Sequence, residues 1–135
     1  MADALYGLGR QKILEGSINM LTDDIKTVLV DTATYSVSID VDEFLDDIGA
    51  GERVATSGNM SSKTSTLGVF DAADITFSSV TGDVSEALVI YKDTGVASTS
   101  PLLAYIDGAT GLPVTPNGGD ITITWDSGAN KVFKL

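Results

Sequence analysis

From residue 25 onward, short runs of β-branched and apolar residues alternate with breaks rich in Gly, Asp and Asn. Ile25–Val30 (IKTVLV) has the composition and length of a core strand. Across residues 35–41, Tyr35, Val37, Ile39 and Val41 alternate with Ser36, Ser38 and Asp40, the period of a half-buried strand. Asp42 offers an N-cap for a single turn over residues 43–48, which Gly49 would end. Residues 54–57 and 64–70 are weaker strand candidates, with a polar loop at 58–63 between them. Ile75 and Phe77 alternate with Thr76 and Ser78. Ala87–Lys92 and Leu102–Ile106 are continuous apolar runs suited to sheet positions covered on both faces. Ile121, Ile123 and Trp125 alternate with Thr122, Thr124 and Asp126, and Val132-Phe133 follows a turn at 126–130, which predicts a final hairpin.

Turn signals at Thr81-Gly82-Asp83, Asp93-Thr94-Gly95, Asp107-Gly108, Thr110-Gly111 and Pro116-Asn117-Gly118-Gly119 recur at the spacing of antiparallel sandwiches. No helical stretch separates the strands, so parallel βαβ architecture is not expected. Residues 4–15 have the pattern of a short helix, with Leu5, Leu8 and Lys12 on one face and Gly16 as a stop. Gly7 and Gly9 each cost about 1 kcal/mol against Ala, so this helix forms only when docked. Two readings stand for it: an arm ordered on its own domain, or one ordered on a neighbouring subunit. The expected fold is all-β, an antiparallel β-sandwich (jelly-roll-like) with a short N-terminal helix or arm. Residues 1–24 form the arm and residues 25–135 a single β-sandwich domain.

A chain of 135 residues that is 43% hydrophobic can bury a core without disulfides or metals. Eight Lys+Arg against nineteen Asp+Glu give a net charge of -11, which disfavours nucleic acid as a partner. Cys and His are absent. Ordinary zinc sites, thiol catalysis, disulfides and imidazole acid–base chemistry are thereby excluded. No basic-then-apolar leader opens the chain, and the longest apolar run (residues 87–91) is far short of a membrane span. A soluble protein made in the cytosol is the expectation, with no cofactor and no enzymatic role.

The candidate chemistry is sparse. Residues 40–47 (DVDEFLDD) hold charge enough for calcium but lack the ligand spacing of a calcium loop, so a solvated acidic edge is the plainer reading. A glycosidase-like carboxylate pair would arise by chance among so many acids. Ser62 beside Lys63 has the wrong spacing for Ser/Lys catalysis, and Gly7-Leu8-Gly9 lacks the third glycine and preceding strand of a dinucleotide fingerprint. Asn59-Met60-Ser61 matches a glycosylation sequon, read here as coincidence. Arg10 and Lys12 make a local positive spot, either a docking signal or two solvated cations. Tyr91 and Tyr105 with Trp125 would line a carbohydrate-binding face if exposed.

The segments YGLGR at 6–10, LEG at 14–16, IKTVLVD at 25–31, EALVIYKDTG at 86–95, LAYID at 103–107 and PVTPNGGD at 113–120 on to Trp125 cover most of the chain. In these the sequence resembles a family of small structural proteins of tailed bacteriophage virions, close to capsid cement or decoration proteins. The resemblance implies a virion component assembled in many copies and leaves its station open among head surface, head–tail joint and tail. An acidic, small all-β domain without active-site chemistry suits the outer face of the head. Its partners would be the major capsid protein and copies of itself, as dimers or trimers. The contact residues expected from arm-like composition and exposure are Leu5, Tyr6, Leu8, Arg10 and Lys12, one edge strand, and loop tips at Asn59, Lys63 and Asn117. The competing expectations are a tail or head–tail connector component and a carbohydrate- or receptor-binding β-sandwich.

Overall fold

The computed structural model describes residues 3–129 and 131–135. Its centre is the strand β2 (Ile25–Val30), flanked by β3 (Arg53–Thr56) and β6 (Ala87–Lys92). β6 pairs in turn with β7 (Leu102–Ile106), and β7 with the two-residue β1 (Ala4–Leu5). The result is a five-stranded antiparallel sheet in the order β1-β7-β6-β2-β3. Two antiparallel ribbons complete the β structure: β4 (Val69–Phe70) with β9 (Phe133–Lys134), and β5 (Ile75–Phe77) with β8 (Ile121–Ile123). One helix, α1 (Gly7–Leu14), follows β1. β-rich architecture with a short N-terminal helix is therefore as read from the sequence.

Both faces of the five-stranded sheet are covered, which is why β6 and β7 read as unbroken apolar runs. On one face Leu29, Leu88, Ile90 and Ile106 pack with Phe77, Ile121, Ile123 and Trp125 from the ribbon side. On the other, Val28, Val30, Val89 and Tyr91 pack with Tyr6, Tyr35, Leu45 and Ile48. Two bulges adjust the pleat. Ile90 faces Ala104 and Tyr91 faces Leu102, so Leu103 is an extra residue, and Leu103 and Ala104 share the first core. Likewise Leu29 faces Ala55 and Val30 faces Arg53, leaving Val54 extra, and Val54 and Ala55 pack on that same core.

Three sequence readings are corrected. Residues 35–41 form no strand: Tyr35 is buried and Val37 and Ile39 half-buried, but Val41 is 75% exposed and residues 39–41 form a turn. The alternation is genuine, yet what holds this segment is a set of bonds onto Ser38 and Asp42 rather than a neighbouring strand. The final hairpin does not form either. β9 pairs with β4, not β8, because Trp125 is drawn to the β5 side by its amide on Asp74 (3.0 Å) and its indole N–H on the Ala73 carbonyl (3.1 Å). Phe133 stacks on Phe70 instead, with ring centres 5.2 Å apart. Of the expected turn at 126–130, Asn130 lies outside the described residues, as do Met1 and Ala2 of the arm. Lastly, the helix spans Gly7–Leu14, not 4–15, and Leu5 belongs to β1. Gly9 is its one buried position, since a Cβ there would collide with the Leu102 carbonyl oxygen.

Candidate functional site

The excess of acid has a structural use. Asp31, Asp47, Asp71, Asp93 and Asp126 each accept a hydrogen bond from a backbone amide within a few residues, closing turns that no strand stabilises. Others act across the chain: Asp3 accepts from the amides of Asp107 (2.8 Å) and Gly108 (3.0 Å), Asp120 from Ser79, and Glu86 from Thr32. Within the acidic stretch 40–47, the carboxylates diverge. Asp42 accepts from the Ser38 amide and the Tyr35 hydroxyl instead of capping the following turn, and Asp47 takes the amides of Glu43 and Phe44. Among the described residues, no group of three or more acidic side chains is placed to hold a metal ion.

The cations are mostly spoken for. Lys12 bonds Glu43 at 2.7 Å and lies over the Phe44 ring, Lys26 pairs with Asp93 at 2.7 Å, and Lys92 with Asp23 at 3.2 Å. The amides of Asn19 and Gly95, together with these lysines, hold the carboxyls of Asp23 and Asp93 below the ordinary carboxylate range: for Asp23 the Asn19 amide is the leading cause, for Asp93 the Lys26 hydrogen bond.

Of the residues expected to make partner contacts, Leu5, Tyr6, Leu8, Arg10 and Lys12 lie together along β1, α1 and the junction between them, and Asn59, Lys63 and Asn117 on loops. Tyr6 is fully buried, a correction to its expected exposure: its ring fills the second core and its hydroxyl meets that of Tyr35 at 2.8 Å. Tyr35 in turn donates to Asp42 at 2.7 Å. Burial is the main reason that both hydroxyls ionise only above their ordinary range. Lys12 is no open cation, being tied to Glu43. Leu5 and Leu8 are half-buried, and Arg10 is exposed with its guanidinium 4.0 Å from Asp40. Asn59 donates to Asp24 and Lys63 to the Asp23 carbonyl, fixing the 58–63 loop onto the turn before β2. Asn117 closes its own turn by accepting from Gly119. Tyr91, Tyr105 and Trp125 are all buried, so they form no exposed aromatic face.

The surface that sequence reading missed lies beyond the C-terminal end of α1. Ile13, Ile18, Met20, Phe70 and Phe133 line an open groove of about 310 Å³ that Leu21 and Leu135 border. No lining side chain is ionisable, on a chain of net charge -11. Next to it in the chain stand Leu14, 82% exposed, and Leu67, 93% exposed and held at φ 54°. A left-handed backbone at a non-glycine residue costs on the order of 1 kcal/mol, and an exposed leucine recovers none of it. The signal was present in the sequence as isolated leucines in polar stretches, but their convergence depends on β9 pairing with β4. A second, more polar cleft of about 550 Å³ lies between β1 and β9, bordered by Asp3, Thr110, Asp126 and Lys131. No helix among the described residues is long and apolar enough to cross a membrane. Comparison with known protein families and with curated proteins finds no match for this chain.

Proposed function

We propose that this protein is a virion structural component working by surface contact, a cement or decoration protein on the outer face of a tailed-phage head that bridges major capsid subunits. The observation that carries the reading is the apolar groove, free of ionisable side chains, with the exposed Leu14 and Leu67 next to its lining residues in the chain, on a strongly acidic protein. Exposed apolar groups of this kind mark contact sites. The use of carboxylates as backbone acceptors supports a role without covalent chemistry. The phage assignment rests on the sequence resemblance. We read the five-stranded sheet and the two ribbons facing it as the layers of an antiparallel β-sandwich, a rigid carrier for such a surface.

The mechanism is linkage. A clamp that binds the expanded lattice better than the unexpanded or broken one stabilises it by that difference in affinity, multiplied over many copies. The test is co-sedimentation of the purified chain with expanded heads lacking it. The wild-type chain is expected to pellet with the heads, in a ratio near that of the capsid subunits. The Leu14→Asp/Leu67→Asp double variant should keep its fold, since both side chains are exposed, and lose most binding. Wild-type protein left in the supernatant, or a double variant that pellets undiminished, overturns the reading.

A further inference from the structure

We propose that residues 3–14 are an exchangeable strap, seated on their own sheet in a lone chain and on the sheet of a second copy where copies are crowded. This goes beyond the capsid reading and holds whatever partner the apolar groove meets.

The seat is specific. Ala4 and Leu5 pair with Tyr105 and Ala104, the Tyr6 amide donates to the carbonyl of the bulged Leu103 at 2.9 Å, and the Tyr6 ring is fully enclosed. Gly9 lies against the Leu102 backbone, and Lys12 reaches Glu43. The strap itself is weak: a two-residue strand, then a helix with two glycines and no side-chain cap at its start. Neither piece would persist alone. The tether is short: the amides of Glu15, Gly16 and Ser17 close the end of α1, and the Ser17 carbonyl accepts from Lys92 Nζ at 3.1 Å. Residues 15–17 are exposed, Gly16 sits at φ +77° with open space around it, and the chain re-enters the core only at Ile18.

Charge suits this kind of seat on its own chain and on a copy alike. The strap carries Arg10 and Lys12 against Asp3, a net charge of +1, whereas the remaining residues sum to −12. When the strap lifts, the apolar edge of β7 and the socket beside Tyr35 lie bare and must be refilled. The strap of an identical chain restores every contact, so the exchange alters only the hinge dihedrals and the entropy of association. A segment on so short a tether competes at an effective concentration on the order of millimolar, and exchange should appear as the protein approaches it.

The chain has no cysteine, so two introduced thiols report the exchange directly. Asp3 and Gly108 are both exposed, and a Cβ built on Gly108 lies 3.8 Å from Cγ of Asp3, within reach of a disulfide. The Asp3→Cys/Gly108→Cys variant, oxidised at about 10 µM, is expected to close internally. Oxidised at about 1 mM, it should give linked dimers at least about tenfold above those of either single-cysteine variant. Internal closure at both concentrations, with dimer no higher than the single-cysteine background, overturns the proposal. Should the double variant fail to fold, light scattering on the unmodified chain decides: a dimer growing with concentration supports exchange, and a monomer at about 1 mM excludes it.

Discussion

The two faces of the five-stranded sheet are covered by different means. One meets ribbons and carries Phe70, Phe77, Phe133 and Trp125; the other meets irregular chain and carries all four tyrosines, Tyr6, Tyr35, Tyr91 and Tyr105. Strands that cover a face satisfy their own backbone through the ladder, so apolar complementarity suffices. Irregular chain has no ladder and needs polar anchors inside the core. The Tyr6–Tyr35–Asp42 hydroxyl chain, with Asp42 also holding the Ser38 amide, is such an anchor.

That contrast can be broken most forcefully by truncation. Phe77→Ala and Tyr6→Ala should each cost about 3–5 kcal/mol in denaturant unfolding. Their patterns should differ. Phe77→Ala lowers global stability, while Tyr6→Ala also frees the amides of residues 4–14 to exchange hydrogen well before the sheet. Equal protection of that segment in the two variants would erase the distinction.

Alkali comes next. Burial raises the pKa of all four tyrosines above their usual 10.0, that of Tyr91 to about 12, so the unfolded chain ionises first. The stability this confers is complete below pH 10 and is lost as pH rises through the folded values, Tyr91 alone contributing on the order of 2–3 kcal/mol. Tyrosinate absorbance should therefore rise together with unfolding rather than ahead of it. Free ionisation of the tyrosines in a folded protein, with Trp125 fluorescence unchanged, would contradict the second core.

A smaller effect separates ring from hydroxyl. Tyr6→Phe keeps the packing and removes one hydrogen bond, while Tyr35 still donates to Asp42; about 1 kcal/mol is expected in the same denaturation measurement. Smallest is the acid side. The lowered carboxyls of Asp23 and Asp93 give stability that is present above their ordinary 3.8 and lost as pH falls through the lower folded values. Asp93→Asn should flatten part of the fall in melting temperature below pH 4, an effect absent if Lys26 does not pair with it.

Legibility in the sequence follows the same division. β2, β6 and β7 announce themselves because burial on two faces makes them mostly apolar, with Thr27 the fully buried polar exception, and β5 and β8 because one wet face enforces alternation. Residues 35–41 carry that alternation without being a strand, since Tyr35, Val37 and Ile39 turn inward on irregular backbone. A carboxylate in a loop gives no hint of its acceptor role when the donor lies elsewhere, as for Asp74 and the Trp125 amide. The apolar groove was hidden for a related reason: Ile13, Phe70 and Phe133 meet only through a pairing of short strands that local pattern does not specify.

The bulges at Val54 and Leu103 carry one more consequence. ALVIYK and LLAYI are the kind of β-prone, low-charge segments that stack into fibrils when they lie flat and in step with identical neighbours. An extra residue wedged into the ladder on either side of the β2–β6 pair denies them that flatness and bookmarks the alignment, so a strand cannot slide by one residue without losing its place. A safeguard against fibrillar stacking is thus built into the sheet itself.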